Sequence, residues 1–248
     1  MKAKYTWKPD IPDRRDYKLM VPKKIALPTK VDLRNKMSPV EDQGQLGSCT
    51  GNAIAGALEY LENKNLPKTK FVDISRLFIY YQERLIEGTV SQDAGAMIRT
   101  GVKVCAKIGA CDEALWPYLI NKFTRSPPVK AYTDAAKRKI TQYQRVTSLQ
   151  GLKYSLSQGF PVVFGFSVYD GFESDEVAKT GILNVPAEGE TMLGGHAVLC
   201  VGYDDSIERI IVRNSWGPNW GMKGYFTMPY EYINDRDLSD DLWSIQKM

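Results

Sequence analysis

The sequence predicts an α+β fold in which helices and strands are segregated along the chain. Helical periodicity lies in the first half, where Ile54, Ala57, Leu58 and Leu61 follow the i, i+3, i+4, i+7 spacing of one buried helix face. Strand patterns rich in Val, Ile and Phe dominate the second half. This order is typical of a helical layer packed against an antiparallel sheet. With 248 residues and 43% hydrophobic residues, the chain is long enough for one two-lobed domain.

The first predicted helix starts at a cysteine. Ser48 precedes the apolar run and is a candidate N-cap, so Cys49 lies in the first turn. The partial positive charge at a helix N-terminus stabilises a thiolate, which predicts a lowered pKa and a reactive Cys49. The glycines at 44 and 47 allow the preceding loop to bend tightly.

The remaining elements follow in order. Ser75 caps a second helix, RLFIYYQERLIEG, which is apolar almost all round and therefore buried. A third helix is predicted from about Asp93 to Ile108 with Gly109 beyond its end, and a further helix, SLQGLKYSLSQ, ends at Gly159. A strand rich in Val and Phe, VVFGFSVY, is predicted after this helix. Further strands are predicted for TGILNVP, HAVLCVGYD, RIIVRNSW and GYFTMPY. The acidic run DRDLSDD is interpreted as a solvated loop.

A catalytic interpretation of Cys49 depends on two distant residues. Most free cysteines are small buried hydrophobes without chemistry. The single histidine, His196, lies 147 residues after Cys49, and Asn214 lies 165 residues after it. This order and spacing of Cys, His and Asn is typical of one class of cysteine nucleophile.

Three motifs carry a family resemblance. QGQLGSC, GHAVLCVGY and NSWGPNWGMKGYF resemble, in order and spacing, the motifs of papain-like cysteine proteases such as papain and the cathepsins, from about Leu27 to the C-terminal region. The resemblance implies a two-lobe fold with a helical left lobe, a β-barrel right lobe and an active-site cleft between them. Leu46 and Thr50 stand where the family usually has a cysteine and a tryptophan, which suggests a divergent microbial or viral branch.

The resemblance also implies roles for individual residues. Cys49 is expected to be the nucleophile, His196 the general base and acid, Asn214 the residue that orients the imidazole, and Gln43 a side-chain donor of the oxyanion hole. For substrate binding, Gly95 matches a backbone-binding glycine, Met97 is a candidate wall of the main specificity pocket, and Trp216 is expected to shield the Asn214 to His196 hydrogen bond. Turn formation and core packing are the simpler interpretation of Gly95 and Met97.

These roles predict a cysteine endopeptidase that hydrolyses peptide bonds through a Cys49 thioester. No cofactor is expected, and one histidine with scattered cysteines disfavours a zinc site. Two alternatives remain open: a Cys-His acyltransferase or amidase acting on a non-protein substrate, and a cleft that binds peptides without turnover. The expected partner is a peptide or protein substrate, and we expect a monomer.

The chain divides into a basic extended arm, residues 1–26, and a peptidase domain, residues 27–248. Residues 1–30 carry nine Lys or Arg and three Asp, a net charge of +6, which leaves about −2 for the rest. Four prolines and the lack of periodicity predict an extended arm. A solvated tail is the simple interpretation, and a short pro-segment that masks the cleft through Tyr5 and Trp7 is the functional one. The mixed charges favour no nucleic-acid partner.

The hydropathy pattern and the cysteine spacing limit the predicted location of the protein and the redox state of its cysteines. No apolar run reaches the length of a membrane-spanning helix, and the N-terminus has no apolar signal-peptide core, so the sequence predicts a cytoplasmic location or export by a non-Sec route. Cys105 and Cys111 can pair only if their Cα atoms approach within about 7 Å. Reduced thiols are the simpler expectation in a reducing cytosol.

Overall fold

The computed structural model describes residues 5–64, 66 and 71–247. The helices are α1 (Cys49–Asn63), α2 (Arg76–Ile86), α3 (Ile98–Lys107), α4 (Val129–Ala135), α5 (Leu149–Ser157), α6 (Asp175–Thr180) and α7 (Glu231–Asn234). The strands are β1 (Lys30–Asp32), β2 (Gln142–Arg145), β3 (Val162–Tyr169), β4 (Met192–Asp204), β5 (Arg209–Arg213), β6 (Tyr225–Pro229) and β7 (Ser239–Lys247). The first half is helical and the second half forms a sheet, which confirms the α+β prediction.

Helix α1 is the centre of the molecule. Every residue from Cys49 to Tyr60 is buried, because α2 and α3 cover one side of α1 and strand β4 covers another. Ser75 caps α2 through its hydroxyl, which accepts from the amide of Phe78, as the sequence predicts. Ser48 occupies the N-cap position of α1 but makes no capping bond; its hydroxyl instead pairs with the hydroxyl of Tyr118 at 2.5 Å.

The strand lobe is an antiparallel sheet of order β2-β7-β3-β4-β5-β6, with β1 added on β4. Among the described residues no pairing joins β2 to β6, so the sheet is open and matches the expected barrel only loosely. The paired strands β3 and β4 bring His196 opposite Phe166 in register. His196 and Phe166 therefore share one face of the sheet, with ring centroids 5.8 Å apart.

Several element predictions were wrong. The third helix begins at Ile98 rather than Asp93, because Gly95 adopts a positive φ of 67° and the chain turns there. TGILNVP forms no strand in the structure, since only Ile182 bridges Thr227. The acidic run is not a solvated loop: its last residues open β7, and Asp241 is fully buried.

The described residues of the N-terminal arm form no helix, and a turn from Asp13 to Asp16 interrupts their course. The arm contacts the body through two isolated parallel bridges, Thr6 to Gly195 and Lys18 to Arg145. Within the described ranges, no helix combines the length and the apolar character that crossing a bilayer requires. Residues 1–4 of the arm lie outside the described residues.

Candidate active site

Cys49 is the first residue of α1 and is completely buried. Burial raises the pKa of its thiol to about 11, although backbone groups of Ala197, Thr50 and Thr6 near the sulfur oppose this rise. The helix N-terminus predicts the opposite direction. Desolvation is therefore the stronger influence in this closed state, and the thiol form of Cys49 is favoured. The three other cysteines are also buried free thiols, so Cys105 and Cys111 do not pair.

His196 and Asn214 lie together on the strand lobe. His196 Nε2 and Asn214 Oδ1 are 2.9 Å apart, and both residues are buried. Nδ1 of His196 has no hydrogen-bond partner among the described residues, so it is the ring nitrogen left to exchange a proton. Burial lowers the pKa of His196 to about 4, and the Asn214 bond only partly opposes that effect. The closed site thus favours a neutral imidazole.

Gln43 is buried in the loop before α1, between the two lobes. Its side-chain oxygen accepts from the hydroxyl of Ser215 at 2.5 Å, and its amide nitrogen donates to the carbonyl of Leu46 at 2.9 Å. A side-chain amide carries two N–H donors, so the second hydrogen remains available. Ser215 also follows Asn214 directly, and its backbone N–H donates to Asn214 Oδ1 at 2.8 Å. The loop from Asn214 to Ser215 therefore orients both Gln43 and His196.

Trp216 lies against the imidazole. The two rings stack with centroids 5.3 Å apart and an angle of 23° between their planes. Phe172 and Trp220 pack on the other parts of the indole, at 5.1 Å each. Trp216 thus stacks on the imidazole that bonds to Asn214, and its role as a shield of that bond stays a prediction.

Residues 5–8 of the arm, here called the cleft segment, pass between the lobes at Cys49. Thr6 donates its hydroxyl to the carbonyl of Gly47 at 2.8 Å on the helical side. On the strand side, Trp7 donates its amide to the carbonyl of Gly195 at 2.9 Å. The edge of the Tyr5 ring faces the His196 ring, with centroids 6.2 Å apart. The cleft segment therefore lies across the Cys49 and His196 side chains like a bound peptide.

The indole of Trp7 fills a pocket that exists because Gly165 and Gly195 have no side chains. A Cβ on Gly165 would lie 2.0 Å from Cε2 of the indole, and one on Gly195 would lie 2.6 Å from Cε3. Real Cβ atoms do not approach that closely, so a side chain at either position would expel the indole. Trp7 is only 8% exposed.

Gly95 and Met97 lie on the helical wall of the same cleft. A Cβ on Gly95 would lie 1.8 Å from the carbonyl oxygen of Thr6, so the arm backbone runs directly over this glycine. Lys8 donates its amide to the carbonyl of Ala96 at 3.2 Å. Met97 is the half-buried N-cap residue of α3, and its amide donates to Glu87. The backbone of this loop meets the arm at Thr6 and Lys8.

The profile of the Papain family cysteine protease matches residues 27–242. This chain belongs to the papain family of cysteine proteases. A peptidase C1-like protein of Acanthamoeba polyphaga mimivirus is 46% identical over 216 residues, which are 84% of this chain and 69% of that protein. Pro-cathepsin H of Bos taurus is 29% identical over 214 residues, 80% of this chain and 59% of that protein. The chain thus spans between about half and two thirds of such relatives.

Solved structures of the papain family agree with the fold. Xylellain, a cysteine protease from Xylella fastidiosa, superposes with a TM-score of 0.90 at 44% identity, covering 98% of this chain and 96% of that one. Digestive procathepsin L 3 of Tenebrio molitor superposes with a TM-score of 0.70 at 20% identity, covering 93% and 75%, and shows the fold alone. Together with the profile match, these relatives make the chain a cysteine peptidase, and the viral relative agrees with the microbial or viral branch that the sequence suggests.

Further along the arm, Asp10 and Asp16 form buried ion pairs with the body of the protein. We call these two residues and their partners Arg99, Arg145 and Asp241 the ionic latch. Asp10 accepts from Arg145 Nη1 at 3.0 Å and from the indole N–H of Trp243 at 2.9 Å. Asp16 pairs with Arg99 at 2.5 Å. Asp241 completes the latch, since its carboxylate accepts from Arg145 at 2.7 Å and from the Asp10 amide at 2.6 Å.

Sequence reasoning missed the latch and two residues near the nucleophile. Asp10 and Asp16 lie in a charged stretch that predicts solvation, Arg145 lies among uncharged residues, and no spacing connects the three. Ser215 belongs to the NSWG motif, so that motif could have indicated its place beside Gln43. Glu83 lies on α2, which the sequence predicts to be buried, but nothing in the sequence indicates that its carboxyl group meets Thr50 of α1.

Proposed function

We propose that this chain is a cysteine endopeptidase in which Cys49 forms a thioester with its substrate and His196 moves the protons. The observation that carries the proposal is the extended cleft segment, which lies between Cys49 on one lobe and the His196 and Asn214 pair on the other. A cleft that holds an extended backbone through carbonyl groups of both walls is suited to peptides.

The first chemical step is a proton transfer within the enzyme. His196 uses Nδ1 to take the proton of the Cys49 thiol, because Nε2 is engaged with Asn214. Asn214 holds the ring in one orientation without adding charge. Burial favours the neutral pair while the arm is in place, and readmission of water favours the thiolate and imidazolium.

Acyl transfer follows from the same arrangement. The Cys49 thiolate attacks the substrate carbonyl carbon, and the free N–H of Gln43 with the backbone N–H of Cys49 stabilises the oxyanion. The C–N bond then breaks, the imidazolium gives its proton to the leaving amine, and water cleaves the thioester with His196 again as base. Each preorganised donor contributes about 2.7–4 kcal/mol to such a transition state.

The arm masks this site, in our proposal. Thr6 and Trp7 bind the walls that a substrate would use, including Gly95, and Tyr5 stands beside His196. Removing residues 1–26 also removes Asp10 and Asp16, which leaves the buried Arg99 without its carboxylate partner and Arg145 with Asp240 and Asp241 alone. A point change in the cleft segment is therefore the cleaner way to open the site.

Labelling with an epoxysuccinyl inhibitor, followed by intact mass and peptide mapping, tests the proposal. We expect one adduct, on Cys49, formed slowly in the wild type and faster in Trp7→Ala, and absent in Cys49→Ser. His196→Ala should lower the labelling rate and the rate of peptide hydrolysis by at least about 10³-fold, as loss of a general base does.

Two results would contradict the proposed function. Modification of Cys105 or Cys111 with Cys49 untouched in Trp7→Ala would remove Cys49 as the nucleophile. Labelling of Cys49 without hydrolysis of any peptide, but with transfer to an added amine, would favour an acyltransferase. The product analysis separates these outcomes because hydrolysis yields a free acid and transfer yields an amide.

A further inference from the structure

A buried carboxyl group lies next to the residue that follows the nucleophile. Glu83 of α2 is 0% exposed, and its Oε2 accepts from the hydroxyl of Thr50 at 2.7 Å. Thr50 is the second residue of α1, so this bond joins α2 to the first turn of the helix that carries Cys49. Thr50 also stands where the family usually has a tryptophan.

Helix α3 leaves a space for this carboxyl group. A Cβ on Gly101 would lie 2.1 Å from Glu83 Oε1, so only glycine fits beside it. Oε1 is buried and has no hydrogen-bond partner among the described residues. An ionised carboxylate with an unpaired buried oxygen costs far more than a neutral carboxyl group. The geometry therefore favours the protonated form of Glu83.

We propose that Glu83 is a positioning residue for Cys49, whose uncharged carboxyl group holds the first turn of α1 through Thr50 and whose ionisation disfavours the Cys49 thiolate. The inference rests on the proposed function of Cys49 as nucleophile.

Electrostatics agrees with the geometry. Burial raises the pKa of Glu83 to about 8; the Thr50 bond and Arg84 oppose the rise, and Glu87 adds to it. A charge on Glu83 in turn raises the pKa of Cys49 from α1 and of Cys105 from α3. These are the charged and titratable groups that act on Glu83 from the three helices around it. Two like charges at this place oppose each other, so the thiolate and the Glu83 carboxylate are mutually unfavourable.

The test uses the full chain and reads Cys49 directly. Thiolate absorbance at 240 nm is followed from pH 6 to pH 12, and the curve of Cys49→Ser is subtracted. Glu83→Gln keeps an oxygen for the Thr50 hydroxyl but cannot ionise. We expect Glu83→Gln to increase the Cys49 thiolate fraction at pH 9 to 10 by about threefold to tenfold, since one pKa unit is a factor of ten.

Glu59→Gln is the matched control. Glu59 is equally buried at 1% exposure and lies on the same helix as Cys49, but ten residues further along. It should leave the Cys49 titration in place. Superimposable Cys49 curves for wild type and Glu83→Gln, or an equal displacement by Glu59→Gln, would overturn the proposal.

Infrared spectroscopy reads the protonation state of Glu83 directly, so the proposal stays testable if one of the variants does not fold. In the difference spectrum between wild type and Glu83→Gln, the C=O band of a protonated carboxyl group should be present at pH 6 and disappear with a midpoint near pH 8. The band should be missing in Thr50→Val or altered in frequency, and Thr50→Ser should restore it. Absence of such a band at pH 6 means that Glu83 is ionised, which contradicts the proposal. Neither optical readout needs turnover, so a failed inhibitor label on Cys49 defeats the proposed function alone.

Discussion

The cleft segment and the ionic latch attach one arm to one body by different physical means. In the cleft segment, Trp7 buries an indole against glycines and the backbone bonds to both walls. In the latch, Asp10 and Asp16 meet two arginines with little access to water. Apolar burial is insensitive to pH, whereas a group of buried acids is not. The difference indicates that masking the cleft and retaining the arm are separable properties.

The largest expected effect comes from breaking the latch. Arg145→Met removes the cation that pairs with both Asp10 and Asp241, whose side chains are fully buried. Breaking a buried pair from one side leaves uncompensated charge and costs about 3–5 kcal/mol. Urea denaturation of the full chain should show this loss in the free energy of unfolding.

Arg15→Met is the control for that experiment. Arg15 pairs with Asp13 on the same arm, but its side chain is 87% exposed. An exposed pair contributes at most about 1 kcal/mol. Equal losses in the free energy of unfolding for the two variants would mean that the latch stabilises the protein no more than a surface ion pair does. The latch would then not be a separate means of attaching the arm.

The sequence predicted the parts of the site that depend on motif and periodicity. Cys49 at the start of a buried helix, His196 on β4 and Asn214 directly after the adjoining β5 follow from local patterns that the fold preserves. The start of α3 was misplaced because one glycine, Gly95, turns the chain within a polar stretch that otherwise reads as helical. Local propensity cannot reveal such a tertiary requirement.

The latch and the pKa of Cys49 could not be predicted from the sequence, for a different reason. Asp241 lies in an acidic run whose composition predicts solvation, and it is buried only because Arg145 from a distant strand and Asp10 from the arm meet it. The helix N-terminus predicted a low pKa for Cys49, whereas the closed structure buries the sulfur completely. Both errors come from desolvation by residues far away in the sequence.

The second prediction concerns the cleft segment alone. Trp7→Ala removes the indole from its pocket while Asp10 and Asp16 keep the arm attached. Truncating a buried tryptophan typically costs about 3–5 kcal/mol, of which part is lost as the segment relaxes. We expect Cys49 to react with the epoxysuccinyl inhibitor about 10- to 100-fold faster, measured by the rate of adduct formation in intact mass spectra.

Two further variants define that result. Tyr17→Ala removes an arm aromatic that is 76% exposed, and it should leave the labelling rate unchanged. Gly165→Ala places a methyl group where the indole lies, so alone it should accelerate labelling and in combination with Trp7→Ala it should add little. Full additivity of the two changes would mean that Trp7 does not occupy this pocket in solution.

The smallest expected effect is the share of the pH dependence that the latch contributes. Burial, with the charge of Asp10, raises the pKa of Asp241 from 3.8 to about 7. The native state therefore holds a proton that the unfolded state releases, so this group contributes stability below about pH 4 that is lost as the pH rises to about 7. Asp241→Asn cannot ionise and should flatten this decline, which is on the order of a few kcal/mol at most.

Melting temperatures from pH 4.5 to pH 8 measure this effect, with Asp240→Asn as the control because the Asp240 side chain is 43% exposed. If the arm is held in two independent ways, the same pH range should alter the melting temperature of wild type and Trp7→Ala in parallel, because Trp7 carries no charge. A wild type whose stability rises from pH 4.5 to pH 7, with Asp241→Asn following the same curve, would place the titration elsewhere. Parallel curves for wild type and Trp7→Ala, with a shallower one for Asp241→Asn, would assign that part of the pH response to the latch and none of it to Trp7.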